Sequence, residues 1–233
     1  MSVNLTELEE RLGVVFSNKN LLQQALTHRS YCNEDRQWIF GHNERLEFLG
    51  DAILELVVSE FLFRKYPNKS EGDLTSYRAA LVNARANVAT SQILGLDEYV
   101  RLSRGEAKNS GRARDIILAD AFEAIIGATY LDRGLVVVEQ MITRLVLSKA
   151  NTIISGDLKK NTKTRLQENS QRLIEITPIY KVLKETGPDH NKEFVAGVFF
   201  NQDLIAQGTG PTKKLAEEQA AQAALVLKGW TAI

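Results

Sequence analysis

The stretch NERLEFLGDAIL, residues 43–54, decides how this chain is to be read. Leu46, Phe48, Leu49, Ile53 and Leu54 mark a segment that packs into a core. Glu44, Glu47 and Asp51 place three carboxylates in the same run. On a helix the positions i, i+3 and i+7 share one face, so these acids face the same way. Like charges one turn apart repel by a few tenths of a kcal/mol, roughly, even when exposed. Half-buried beside Leu46, Phe48 and Leu49 they cost more. A second apolar segment repeats the pattern: in DIILADAFEAIIGATYL, Asp120 and Glu123 are three residues apart. A single acid on an amphipathic helix is ordinarily a solvated edge residue, but five on two apolar helices point to one shared site. A divalent cation relieves such crowding, and an all-oxygen donor set suits Mg²⁺ or Mn²⁺ rather than zinc. The three histidines are scattered and Cys32 is alone, so no zinc pattern is present.

The wider sequence sets the frame. Lysine plus arginine and aspartate plus glutamate both number 29 in 233 residues, so bulk charge alone is a poor grip on nucleic acid. Up to residue 154 there are 18 basic and 20 acidic residues, and afterwards 11 and 9, so neither part is strongly polarised. One cysteine excludes an internal disulfide and suits a reducing compartment. The start lacks the basic-then-apolar order of a secretory signal, and no apolar run approaches the ~20 residues of a membrane span. The expectation is a soluble, cytoplasmic protein with no membrane partner.

Residues 1–152 read almost wholly as helix, with three- and four-residue apolar recurrence in 19–28, 43–66, 73–94, 115–132 and 135–149. A polar linker is expected at 153–161. Residues 162–231 change rhythm: a short helix, three strands (IYKVLKETG, EFVAGVFFN, DLIAQGTG) and a final Ala- and Leu-rich helix. The expected fold is therefore an all-α domain followed by a small α+β domain of order αβββα. Ser70-Glu71-Gly72-Asp73 fits a capping box, which by itself makes Glu71 a helix-start residue rather than a ligand. Ile53, Leu54, Leu56, Val57 and Val58 fit either a dimer interface or the core. GTGPTKK lacks the spacing of a phosphate-binding GxxxxGK[ST] loop, so no nucleotide cofactor is expected.

The signature NERLEFLGDAIL, together with ALTHRSY (25–31), YPNKSEGDL (66–74), RAALVNARANVA and ILADAFEAIIGATYLDRG (117–134), resembles the ribonuclease III family. The resemblance implies that Glu47, Asp51, Asp120 and Glu123 hold the catalytic magnesium, with Mn²⁺ substituting, and that Glu44 and Glu71 support the site and its dimeric arrangement. It implies a homodimeric endonuclease acting on double-stranded RNA by metal-assisted hydrolysis. Expected products carry 5′-phosphates, 3′-hydroxyls and short 3′ overhangs. Ribosomal RNA precursors and structured messengers are the expected substrates.

Residues 162–229 resemble a double-stranded RNA-binding domain. That resemblance implies RNA contacts from Thr164, Gln167, Glu168 and Gln171 on the first helix, and from Pro188 and His190 in the loop between the first two strands. It further implies phosphate contacts from Lys213 and Lys214, where a helix N-terminus favours an anion on physical grounds as well. A-form RNA, with its wide, shallow minor groove, is read mainly by shape.

Overall fold

The computed structural model describes residues 4–154, 162–188 and 192–230. The chain divides into two compact units, Met1–Ile154 and Ser155–Ile233, and each is taken by itself.

The first unit is helical. Its short opening helices are α1 (Leu5–Leu12), α2 (Lys19–Ala25) and α3 (Arg29–Glu34). Helix α4 (Glu44–Lys65) carries the opening signature. Helix α5 (Glu71–Val82) starts at the expected capping box: Ser70 Oγ accepts from Asp73 N, and the Asp73 carboxylate accepts from Ser70 N. The expected single helix over 73–94 is in fact two, α5 and α6 (Ala84–Leu94). Asn83, in extended geometry, makes the break: its Nδ2 donates to Ala79 O at 2.8 Å, and its Oδ1 accepts from Ala86 N at 3.0 Å. One side chain thus closes a helix and opens the next, a local alternative that short amides offer the backbone.

Helix α7 (Arg112–Leu145) runs through the centre, interrupted at Gly134, whose φ of 78° lies in the left-handed region that favours glycine. The break expected at residues 132–134 therefore divides one long helical span. Asp132 accepts from Ser17 N and Asn18 N at 2.7 and 2.8 Å, and Arg133 donates to Val15 O at 2.7 Å, which pins the break to the loop before α2. From Ile117 to Thr129 nearly every α7 side chain is buried, the mark of a helix enclosed on all sides.

Helix α4 lies along α7, and its burial separates the two readings left open by its apolar residues. Ile53, Leu54, Val57 and Val58 belong to the core, whereas Leu56 is exposed. With Phe48 (82% exposed) and Phe63 (72%), Leu56 forms an apolar stripe on the outer face of α4. No described helix is long and apolar enough to cross a membrane.

The second unit consists of α8 (Thr162–Ile174), β1 (Ile179–Thr186), β2 (Glu193–Phe200), β3 (Asp203–Gly210) and α9 (Lys213–Leu227), the αβββα order read from the sequence. The sheet is antiparallel, in the order β1-β2-β3. Leu166 of α8 meets Val198 and Phe200 of β2, Ala206 of β3, and Ala220, Ala221, Ala224 and Leu225 of α9 in one core. The run of alanines lets α9 approach closely. At Gly208 a Cβ would stand 2.2 Å from Ala220 N, so only glycine permits this contact between β3 and α9.

Candidate active site and RNA-binding surface

Two glycines bring the acidic helices together. A Cβ on Gly50 of α4 would lie 1.7 Å from the carbonyl oxygen of Glu123, and one on Gly127 of α7 would lie 2.2 Å from that of Leu46. The helices therefore touch backbone to backbone at their crossing. Along α4, Glu47 and Asp51 flank Gly50; on α7, Glu123 supplies the carbonyl at the contact, with Asp120 one turn earlier.

The electrostatics follow from this placement. Burial, then Asp51, Asp120 and Glu47 in that order, push the Glu123 carboxyl up to about 7, opposed by a hydrogen bond from Asn87. Burial and the charges of Asp120, Glu44 and Asp51 raise Glu47, while burial and Glu44 raise Asp120. Glu47, Asp120 and Glu123 are thus each pushed toward the neutral form, as expected of carboxylates gathered without a counter-charge. Asp51 itself is exposed. Among the described residues, no three His, Cys, Asp or Glu side chains converge tightly enough to hold one cation as they stand. The carboxylates share a field and repel one another; the oxygen-only donor set on two fixed helices suits a hard divalent cation, whose charge would draw them inward.

Glu44 stands at the rim of this group, exposed, with Arg29 Nη1 3.4 Å from its Oε1 and His42 Nδ1 3.8 Å from Oε2. Glu71 is elsewhere in the chain. It lines a groove of about 690 Å³ between α4 and α5 with Leu56, Phe63, Leu74 and Arg78, and its carboxylate accepts from the Thr75 hydroxyl at 3.0 Å. Asn87, 1% exposed, touches the group without belonging to the acidic pattern: its Nδ2 donates to Glu123 Oε1 at 2.7 Å. A polar residue on the inward face of α6, in step with buried Ser91 and Leu94, was the available signal.

In the second unit Thr164, Gln167, Glu168 and Gln171 are all exposed, at spacings that place them on one face of α8, away from buried Leu166 and Ser170. Pro188 is exposed; His190 lies outside the described residues. Lys213 and Lys214 are exposed in the first turn of α9, where Thr212 Oγ1 accepts from Leu215 N at 3.2 Å as the N-cap. The Lys213 ammonium also sits 5.7 Å from the centre of the Phe194 ring, which steadies it at the helix start.

Comparison with known proteins agrees with the order of the two units. A ribonuclease-III-like profile matches residues 18–150, and a double-stranded RNA binding motif matches 162–226. Ribonuclease 3 of Streptococcus agalactiae is 44% identical over 220 residues, 94% of this chain and 96% of that one. Ribonuclease 3 of Listeria innocua is 47% identical over 221 residues, 94% and 95% of the two chains. The solved nuclease domain of ribonuclease III from Campylobacter jejuni, described for flexibility in a region involved in its dimer formation, is 43% identical. It covers 62% of this chain and 97% of its own, with a TM-score of 0.57. A helical unit with two acid-bearing helices crossed at glycines, followed by an αβββα unit, defines the class: the chain belongs to the ribonuclease III family. It is a ribonuclease, an endonuclease whose substrate is double-stranded RNA.

Replacing Lys213 and Lys214 together by alanine is expected to flatten the salt dependence of duplex binding, by about 1 in log–log slope per lost phosphate contact. The deficit should be largest at low salt and shrink as salt rises. A titration series from 50 to 300 mM KCl, about the range in which such slopes are read, checks this; an unchanged slope would remove both lysines from the RNA interface.

Proposed function

We propose that Glu47, Asp51, Asp120 and Glu123 hold Mg²⁺, with Mn²⁺ able to substitute, and that phosphodiester hydrolysis in double-stranded RNA takes place among them. The products would carry 5′-phosphate and 3′-hydroxyl ends with short 3′ overhangs. Ribosomal RNA precursors and structured messengers in the cytoplasm are the proposed substrates. A bound divalent cation would supply a water of lowered pKa and charge stabilisation at the departing oxygen. The chain's own part is placement. The Gly50–Gly127 contact holds one acid pair against the other, and that crossing is the observation that carries the proposal. Glu44, tethered by Arg29, borders the site, and its charge adds to the field at Glu47 and Asp120.

Cutting both strands with a short stagger requires two sites at a defined separation, which a homodimer provides. The exposed stripe of Phe48, Leu56 and Phe63 beside the groove containing Glu71 supports such pairing, since soluble monomers seldom leave large apolar residues exposed in a row. The dimer formation described for the Campylobacter jejuni nuclease domain points the same way. Residues 1–152 would form the nuclease domain and 153–161 the linker. Residues 162–231 would bind RNA through Thr164, Gln167, Glu168, Gln171, Pro188, His190, Lys213 and Lys214.

The test is incubation of the 233-residue chain with a long perfect RNA duplex in Mg²⁺ and in EDTA, followed by mapping of the ends. Cleavage only with metal, giving 5′-phosphates and staggered ends, is expected. Binding without cleavage in either Mg²⁺ or Mn²⁺ would replace this reading with that of an RNA-binding scaffold.

A further inference from the structure

Glu123 is held by a residue outside the acidic pattern. Asn87 is buried on α6, and its Nδ2 donates to Glu123 Oε1 at 2.7 Å. Its helix leaves it little freedom. Asn83 fixes where α6 begins, four residues earlier, through bonds to Ala79 O and Ala86 N. One turn after Asn87, the fully buried Ser91 hydroxyl lies 2.8 Å from Asn87 O and 2.7 Å from Leu118 O, tying α6 to α7 just before Asp120.

The chemistry of the donor matters as much as its position. A carboxylate beside three others is pushed outward by their charge unless something holds it. A lysine or arginine would hold it by neutralising it, and would then compete with any cation for the same oxygens. A neutral amide orients one oxygen and leaves both the negative charge and the second oxygen available. Carboxylates that ligate metals are commonly supported in this way, and losing the supporting bond typically costs ~10–100-fold in metal affinity or activity.

We infer that Asn87 is a positioning residue for the cation site: its amide clamps Glu123 Oε1 so that Oε2 is presented toward Asp51 and Asp120. This rests on the proposed role of the acidic cluster.

The experiment uses the full chain without RNA and measures Mn²⁺ affinity by titration calorimetry. Asn87→Leu, which fills the site and removes the donor, is expected to weaken Mn²⁺ binding about 10-fold. In cleavage assays the Mg²⁺ concentration for half-maximal rate should rise by a similar factor, with KM for the duplex unchanged. Thr90→Ala is the control, because it removes another buried hydroxyl of α6, one that donates to Ala86 O within the helix, without touching Glu123. It should leave Mn²⁺ affinity within about twofold while lowering Tm. Should the leucine variant fail to fold, Asn87→Ala carries the same expectation. Unaltered Mn²⁺ affinity in the Asn87 variant, or an equal loss in Thr90→Ala, would overturn the inference and reduce Asn87 to a packing role. Failure of the wild-type chain to bind Mn²⁺ would instead overturn the reading of the cluster itself, and the inference with it.

Discussion

Glu123→Gln is expected to abolish cleavage of an RNA duplex, lowering kcat by at least roughly 10²- to 10³-fold, the scale of losing one preorganised electrostatic group. Duplex affinity should be nearly unchanged, because the candidate RNA contacts all belong to the second unit. The same substitution should make the metal-free protein more stable. Burial and the neighbouring acids Asp51, Asp120 and Glu47 raise the Glu123 carboxyl from an ordinary 4.5 to about 7. Between those values the folded chain holds a proton that the unfolded chain has lost. This group's contribution is therefore full below pH 4.5 and fades as pH rises to about 7. Above that, the folded state carries an ionised, half-buried carboxylate among like charges. Allowing for solvent screening of a partly exposed group, the cost is on the order of 1–2 kcal/mol. Glutamine removes it while keeping an oxygen for the Asn87 amide. Thermal melts in EDTA should show the variant gaining a few degrees over the wild type at pH 8 and losing that advantage near pH 5. Added Mg²⁺ should stabilise the wild type more at pH 8 than at pH 6, and the variant little at either. Wild-type cleavage by Glu123→Gln would remove Glu123 from the site, and equal melting curves at pH 8 would contradict the crowding of the carboxylates.

Gly50→Ala should be the most damaging single methyl addition in the nuclease unit. Its Cβ would lie 1.7 Å from the Glu123 carbonyl oxygen and 2.6 Å from the carbonyl carbon, both backbone atoms that no rotamer change can move. Restoring ordinary contact requires α4 and α7 to separate by roughly 1–2 Å. Overpacking of this kind costs about 1–3 kcal/mol, which the ~1 kcal/mol helix preference of alanine only partly offsets. The functional loss should exceed the loss of stability, since the same separation draws Glu47 and Asp51 away from Asp120 and Glu123. Misplacement on that scale can cost ~10²-fold in rate. Gly72→Ala provides the contrast: its nearest neighbour would be Ser70 Oγ at 3.9 Å, so the change should leave Tm equal or slightly higher. Circular dichroism, melting temperature and single-turnover cleavage on the two variants separate these effects. A Gly50→Ala protein that cuts at the wild-type rate would mean that the helix crossing does not set the site.

Much of this architecture is local in origin and therefore legible in the sequence. Helical recurrence marked α4 and α7, the Ser70–Asp73 box marked the start of α5, and the change of rhythm after residue 162 marked the three strands, because each rests on neighbours within a few residues. The spacing of Glu44, Glu47 and Asp51 placed them on one face of α4 before any partner helix was known. The split at Asn83 was also a local event, but a polar residue in the run LVNARAN can either sit on a solvated helix face or cap the next helix, and the pattern of apolar residues does not distinguish them.

What the tertiary structure decided is which surfaces meet. That Ile53, Leu54, Val57 and Val58 are core while Phe48, Leu56 and Phe63 face outward depends on where α7 lies, not on α4 alone. That Glu71 stands apart from the acids of α4 and α7 within this chain depends on the packing of α5 against the far half of α4. Asn87 has no meaning in the sequence beyond a polar residue at an inward position; it acquires one only because α6 lays it against Glu123. The sequence by itself determined the helices, the strands and the acids they carry, since these follow from interactions along the chain. The crossing of α4 and α7 at two glycines decided that those acids form one site, because bringing charges from distant segments together is set by packing across the core.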